Sequence, residues 1–263
     1  MNLIDAFQKP IIIGGCYRSG TTLLRRLLDS HSNVHCGSEV KFFNDYYNVL
    51  SDELRIFRFF ETARSYNLPH ETFLNIFGKA FVEFHKEAMN HARKLRWADK
   101  NPENVLYLNE WSKILPEGFI FIHVIRHPLD VLASLKEAKF NRVVPHLFDG
   151  KCKLLQSFVR SGSLHEIENP NSSIRIHYED LVNQPEETLK ELFKKLELNW
   201  EPHILDIFFS PERIEGLEDP KIKFTRSIDN SNVNRWKKDL SKDEIDVAVQ
   251  ILGATFEGYQ LLT

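Results

Sequence analysis

The chain has 263 residues, with 34 Lys and Arg against 37 Asp and Glu, a formal net charge of -3 and a pI near 6.4. With 42 % hydrophobic and 12 % aromatic residues it has the apolar material for a large core, which argues against disorder. The near balance of charge excludes a strongly basic nucleic-acid binder by composition, while leaving room for a local basic cleft around one anionic ligand. Cys16, Cys36 and Cys152 are scattered and form no CxxC pair, so neither a disulfide scaffold nor a zinc site is expected. Free thiols in a reducing compartment are the expectation. Residues 1–10 lack a basic region followed by an apolar one, and no apolar run nears the roughly 18 residues of a membrane span. These features point to a soluble, cytoplasmic protein with neither a membrane span nor a nucleic-acid partner.

The first element is Pro10–Gly15, a β-branched run opened by Pro and closed by two glycines, which reads as a strand buried on both faces. A glycine-rich turn follows, then Thr22–Leu28, whose leucines share one helical face. His31 and His35 have a spacing that suits a metal only on a helix, and Ser32-Asn33 argues for a loop instead. From about Ser51 to Leu95 the pattern is helical, with Ile56, Phe57 and Phe60 in one segment and Phe73, Ile76, Phe77, Phe81 and Phe84 in another, separated by Asn67-Leu68-Pro69. Phenylalanines at helical spacing are expected to be core.

Phe119–Ile125 is a second buried strand after the turn Pro116-Glu117-Gly118, and Pro128 is placed to begin a helix. Ile174–Tyr178 is a third strand, and a helix from Pro185 carries Leu189, Leu192, Phe193 and Leu196. Ser241-Lys242-Asp243-Glu244 is a capping box ahead of a helix through Ile245, Val249, Ile251 and Leu252. No repeat or linker divides the chain. Strands alternating with helices predict one α/β domain over residues 1–263, with a parallel sheet and a helical insertion at about 51–95.

Gly15-Cys16-Tyr17-Arg18-Ser19-Gly20-Thr21-Thr22 has the spacing of a phosphate-binding loop, set between a strand and a helix, where backbone N–H groups and the helix dipole converge on an anion. Thr21 stands where nucleotide-hydrolysing loops carry lysine, and Arg18 supplies a cation earlier in the loop. The strand ending Val124-Ile125-Arg126 closes on an arginine rather than on an acid that would hold Mg²⁺, which favours a second phosphate over a metal. The resulting class is a P-loop-type three-layer sandwich, a central parallel sheet flanked by helices.

Two motifs in this order resemble the sulfotransferases that use 3′-phosphoadenosine 5′-phosphosulfate (PAPS). Arg18–Leu23 is similar to their 5′-phosphosulfate loop, and Ile125-Arg126-His127-Pro128-Leu129-Asp130 through Ser134 to their 3′-phosphate motif. Gly14–Arg25, Leu28–His31, Cys36-Gly37-Ser38-Glu39 and Tyr178-Glu179-Asp180-Leu181 resemble the tyrosylprotein-sulfotransferase-like branch. The resemblance implies that Arg18, Ser19, Gly20, Thr21 and Thr22 hold the 5′-phosphosulfate and that Arg126 and Ser134 hold the 3′-phosphate. It also implies that Tyr178 lines the nucleotide pocket and that Ser227 with Arg235-Trp236-Lys237 closes over it. His123 and His127 are expected beside the phosphate site. Glu39 falls at the branch's catalytic carboxylate and Lys100, in Trp97-Ala98-Asp99-Lys100, at its lysine. Sulfuryl transfer needs a base for the acceptor hydroxyl and cations for the charge developing at the bridging oxygen, roles that fit Glu39, and Lys100 with Arg18, and require no metal.

The chain departs from the branch's secreted eukaryotic members at Ala98, where they carry the partner of the cysteine matching Cys36, so that disulfide cannot form. Lys41 matches the branch's basic residue after the catalytic Glu, but Val40, Phe42 and Phe43 around it are apolar. An acidic peptide acceptor is therefore not secured. A hydroxyl on a small molecule or saccharide is favoured over protein tyrosine because the phenylalanine-rich stretch from Ser51 to Leu95 could provide an apolar wall for it, although that stretch could equally be core. Two rival readings are a kinase using ATP and Mg²⁺ and a non-catalytic nucleotide-binding protein. A homodimer is expected from the resemblance alone.

Overall fold

A computed structural model describes residues 9–48, 52, 55, 57–69, 71–138, 143–209 and 227–257. The first eight residues, Ser51, Ile56 and the side chain of Phe73 lie outside this description. Five strands, β1 (Ile11–Gly14), β2 (Val34–Cys36), β3 (Arg96–Lys100), β4 (Ile120–Ile125) and β5 (Ser173–His177), form a parallel sheet in the order β2-β3-β1-β4-β5. Alternation along the strands explains the layering. Ile12, Phe121 and Ile125 face one side, where they pack with Phe81, Trp111, Phe158 and Leu252 from helices Glu71–His91, Leu108–Ile114, Phe148–Glu168 and Lys242–Glu257. Ile11, Ile13, Ile122, Val124, Ile174 and Ile176 face the other, against Leu24, Leu27 and Leu28 of α1 (Thr21–Asp29) and Leu189, Leu192 and Phe193 of helix Pro185–Lys195. A sheet covered on both faces requires near-continuous apolar strands, which is how β1 and β4 read.

The expected strands at 10–15 and 119–125 are β1 and β4, and the third is β5, which ends one residue earlier than expected because Tyr178 opens helix Tyr178–Asn183. The capping box is formed: Ser241 N–H donates to Glu244 at 2.8 Å and Glu244 N–H to Ser241 Oγ at 3.2 Å. Val249, expected among the buried positions of that helix, is exposed, and Ala248 and Leu252 carry the contact. His31 lies in the turn before β2 and His35 within that strand.

β2, β3 and helix Phe148–Glu168 are elements beyond those the sequence pattern marked. β3 hides because three of its five residues are charged and all five are buried. Arg96 spends its guanidinium on the carbonyls of Lys9 and Leu196 at 2.6 and 2.7 Å, and Asp99 accepts from Asn104 Nδ2 at 2.8 Å. In helix Phe148–Glu168, Gly162 breaks the periodicity for a packing reason: a Cβ there would lie 2.4 Å from His123 Cε1. His123 is thereby turned to Glu166, 2.7 Å away, rather than to the phosphate loop.

The insertion consists of helices Phe57–Ser65 and Glu71–His91. Phe60 and Phe81 are buried as expected, but Phe57, Ile76 and Phe84 are more than half exposed, at 58 %, 58 % and 55 %. The expectation that this phenylalanine face is core is corrected by the geometry. Helix Glu71–His91 turns Leu74, Phe81 and Val82 onto β3 and helix Leu108–Ile114, and Ile76, Phe77 and Phe84 are left facing outward.

Candidate active site

β1 delivers the chain into a tight loop at the carboxyl edge of the sheet. Ser19 N–H donates to the Cys16 carbonyl at 3.1 Å, Arg18 is held at φ 70° and Gly20 at φ 95°, and α1 starts at Thr21. Gly20 makes no side-chain cap, so the first-turn amides of α1 keep the pattern that suits an anion. Glycine is needed at position 20 twice over. Its φ is left-handed, and a Cβ would come within 2.5 Å of Tyr178 Cδ2. The Tyr178 ring thus packs on the loop, and the Arg126 guanidinium lies 4.4 Å from its centroid.

The connection after β1 runs toward β2 and that after β4 toward β5, so the crevice between β1 and β4 is the topological switch point where α/β proteins bind ligands. A cavity of about 150 Å³ opens there. Its wall includes Arg18, Gly20, Thr21 and Thr22 of the loop, Arg126 after β4, Ser134 on helix Pro128–Glu137, and Tyr178 after β5. Ser227 and Arg235 close it from the C-terminal side. Arg18 Nε donates to Ser134 Oγ at 2.9 Å, which joins the two candidate phosphate motifs directly. Arg126 donates to the Arg18 carbonyl at 3.1 Å and to the Asn232 carbonyl at 2.6 Å, while its Nε is buried with no hydrogen-bond partner among the described residues. Burial pulls the Arg126 pKa below the ordinary arginine value. An orphaned donor on a buried cation is what an incoming phosphate oxygen would satisfy.

Of the remaining sequence-derived positions, Ser19 is buried behind the loop. Trp236 stacks on His127 at 5.7 Å rather than presenting its face to the cavity, and Lys237 Nζ lies 5.7 Å from the Trp236 ring. Arg235 is shared between Asp239 and Glu137 at 2.6 and 2.5 Å. What docks this late segment is Asp130, fully buried, which accepts from the N–H groups of Asn234 and Trp236 at 2.8 and 3.0 Å. Asp130 stands in the 3′-phosphate motif, but no local pattern tells a docking carboxylate from an ordinary first-turn acid. Leu23 of α1 also lines the cavity, as do Ile228, Asp229 and Asn232 from a loop that carries no motif of its own.

Beside the cavity, Lys100 ends β3 next to Ile13 of β1 and is buried. Its Nζ lies 2.5 Å from Glu39 Oε1 and 3.1 Å from Thr22 Oγ1 of the loop. Lys41 Nζ meets the other oxygen of Glu39 at 2.9 Å and donates to Asn101 Oδ1 at 3.2 Å. Burial pushes the Glu39 pKa up, but the charges and hydrogen bonds of Lys100 and Lys41 outweigh it, so the carboxyl is held below its ordinary value. Burial lowers the Lys100 pKa, and the Glu39 charge offsets part of that. A carboxylate that stays ionised and a buried ammonium at the lip of an anion cradle can take a proton and balance a growing negative charge.

Loop, arginines and tyrosine meet at the switch point of a P-loop-type α/β sheet. Residues 10–202 match the model of the sulfotransferase family, and the chain belongs to that family. It is 23 % identical over 250 residues to a putative protein-tyrosine sulfotransferase of Caenorhabditis briggsae, covering 92 % of this chain and 86 % of that protein. The fold matches the sulfotransferase domain of the Synechococcus PCC 7002 olefin synthase with a TM-score of 0.65 at 19 % identity, over 93 % of this chain and 96 % of that one. It also matches mouse sulfotransferase SULT7A1, solved in complex with PAP, with a TM-score of 0.52 at 13 % identity, over 98 % and 88 % of the two chains. The chain spans 31 % of a related protein from Aquifex aeolicus, and 51 %, 55 % and 52 % of the protein-tyrosine sulfotransferases it matches from Caenorhabditis elegans, Danio rerio and Drosophila melanogaster. Among the described residues no helix is long and apolar enough to cross a membrane.

Proposed function

We propose that this chain transfers a sulfuryl group from PAPS to an acceptor hydroxyl by direct in-line displacement. The observation that supports the reading is the Glu39–Lys100–Thr22 chain, in which Lys100 Nζ lies 2.5 Å from the Glu39 carboxylate and 3.1 Å from Thr22 Oγ1 of the loop. Arg18, Ser19, Gly20, Thr21 and Thr22 would hold the 5′-phosphosulfate, and Arg126 with Ser134 the 3′-phosphate. Tyr178 packs against that end, and Ser227 with Arg235 closes it, while Trp236 and Lys237 support the segment from behind. The bound donor supplies the activated sulfuryl group. Glu39 takes the acceptor's hydroxyl proton as the acceptor oxygen bonds to sulfur, and Lys100, with Arg18 from the loop, balances the charge left on the bridging oxygen as 3′,5′-ADP departs.

The acceptor favoured is a hydroxyl of a small molecule or saccharide rather than a protein tyrosine, since Lys41 is committed to Glu39 and Asn101 instead of standing open to an acidic peptide. A reducing, cytoplasmic setting is supported by Cys16, Cys36 and Cys152, all buried and unpaired, and by the β2–β3 register that sets Cys36 opposite Ala98. The test is transfer of ³⁵S from labelled PAPS to a panel of alcohols and phenols. Transfer by the parent protein that is lost in Glu39→Gln supports the reading. Absence of transfer, with ATP turned over in the presence of Mg²⁺, contradicts it.

A further inference from the structure

A second concavity of about 570 Å³ is lined by Val40, Phe42, Tyr46, Phe77, Ala80, Phe81 and Phe84. Its volume is in the range of small-molecule sites. Phe42 and Phe81 stack at 4.3 Å with planes 5° apart, and both are buried. Behind Phe81, His85 meets the ring edge at 4.7 Å and stacks on Trp97 at 4.6 Å, so the floor is backed by packed rings. The rim is different in kind, with Tyr46 exposed at 61 %. A contiguous exposed aromatic surface of this sort marks a binding site rather than the ordinary scatter of surface apolar residues.

Two features tie the groove to the chemistry. Val40 follows Glu39 in the chain, and the wall residues Phe42 and Tyr46 come from a π-helix, Phe42–Tyr47, that starts directly after Lys41, the second cation on Glu39. Helices of this type are rare and tend to occur at functional sites. The lining carries no charged side chain among the described residues, and its one polar group is the Tyr46 hydroxyl. A saccharide laid in it would strip water from several hydroxyls without replacing their hydrogen bonds, and an acidic peptide would bury carboxylates with no cation to meet them.

We infer that the acceptor is an alcohol or phenol with an apolar alkyl or aryl body, which lies in the aromatic groove and presents its hydroxyl to Glu39. This rests on the reading of Glu39 and Lys100 as the reaction centre, and it narrows the acceptor by excluding sugars and acidic peptides. The balance of the step is unchanged: the new bond is between acceptor oxygen and sulfur, the broken bond is between sulfur and the 5′-phosphate oxygen, and the proton goes to Glu39.

The experiment is the kcat/KM for sulfuryl transfer from PAPS to para-n-alkylphenols from methyl to heptyl, beside an unsubstituted hexose and an acidic tyrosyl peptide. Each added methylene is expected to raise kcat/KM about three- to fourfold until the groove is filled. Ala80→Trp, which fills the groove, is expected to flatten that slope, with 3′,5′-ADP affinity serving as the check that the variant is folded. A flat slope in the parent, a better rate with the hexose or the peptide, or no transfer to any alkylphenol while 3′,5′-ADP still binds would overturn the inference. So would a parent dimer that Ala80→Trp dissociates, since a second copy would then occupy the groove. Failure to bind 3′,5′-ADP at all would overturn the donor reading itself, so the two failures are distinguishable.

Discussion

Glu39 stands between two regions built on opposite principles. On one side, the crevice at the phosphate-type loop is cross-tied by directional bonds: Arg18 to Ser134, Arg126 to the carbonyls of Arg18 and Asn232, and Asp130 to the amides of Asn234 and Trp236. On the other, the aromatic groove is shaped by ring packing and presents almost no polar atom. Directional bonds to buried charges fix one ligand closely, because a wrong ligand leaves a donor or acceptor unpaired. Apolar contacts discriminate weakly between shapes of similar volume. On the proposed reading, a crevice of directional bonds fixes the donor while an apolar groove sets the acceptor, so the two ends of the site can change independently within one family.

The largest expected effect sits at the junction of the two regions. Glu39→Gln preserves an acceptor for the Lys100 hydrogen bond but cannot take a proton, so kcat should fall about 10²- to 10⁴-fold while 3′,5′-ADP affinity stays at the parental value. Rapid-quench turnover paired with calorimetry reads both, and an equal loss of binding would dissolve the division between base and cradle. Arg126→Ala acts on the nucleotide end alone. It should weaken 3′,5′-ADP binding about 10- to 100-fold and erase the preference over 5′-AMP, with the alkylphenol slope unaffected.

Gly20→Ala should be milder. The left-handed φ of 95° and the approach to Tyr178 cost about 1–3 kcal/mol, seen as a lower Tm and weaker nucleotide binding. If thermal melting and binding are unchanged, the loop is not held by the tyrosine. The smallest effect is a shift in pH dependence. Glu39 is held ionised below the ordinary carboxylate range, so activity should persist down to that depressed pKa and be lost as pH falls through it. Lys41→Met removes one of the two cations, raises the Glu39 pKa and should move the acid limb of kcat/KM upward by about half to one pH unit. A downward or absent shift would show that Lys41 does not act on Glu39.

The parts of this arrangement that local pattern reveals are those where backbone geometry dictates residue type. The glycine at the left-handed turn, the β-branched strands covered on both faces and the Pro-started helix after Arg126 all follow that rule. Glu39 and Lys100 are legible only by resemblance, since a lone carboxylate and a lone ammonium look the same in a loop as at a reaction centre. β3 escapes the apolar pattern because its charges are satisfied by Lys9, Leu196, Asn104 and Glu39, and all but Asn104 lie far off along the chain. Helical spacing gives a shared face but not what the face is turned toward, and only the docking of helix Glu71–His91 on β3 decides it.

The measurement that tests the central claim most directly is calorimetric binding of 3′,5′-ADP to the parent chain and to Arg126→Ala, with 5′-AMP and ATP plus Mg²⁺ compared in the same buffer. Tight binding that depends on the 3′-phosphate and is lost with Arg126 is the expected result. A preference for ATP with Mg²⁺, or equal affinity for 5′-AMP, would contradict it.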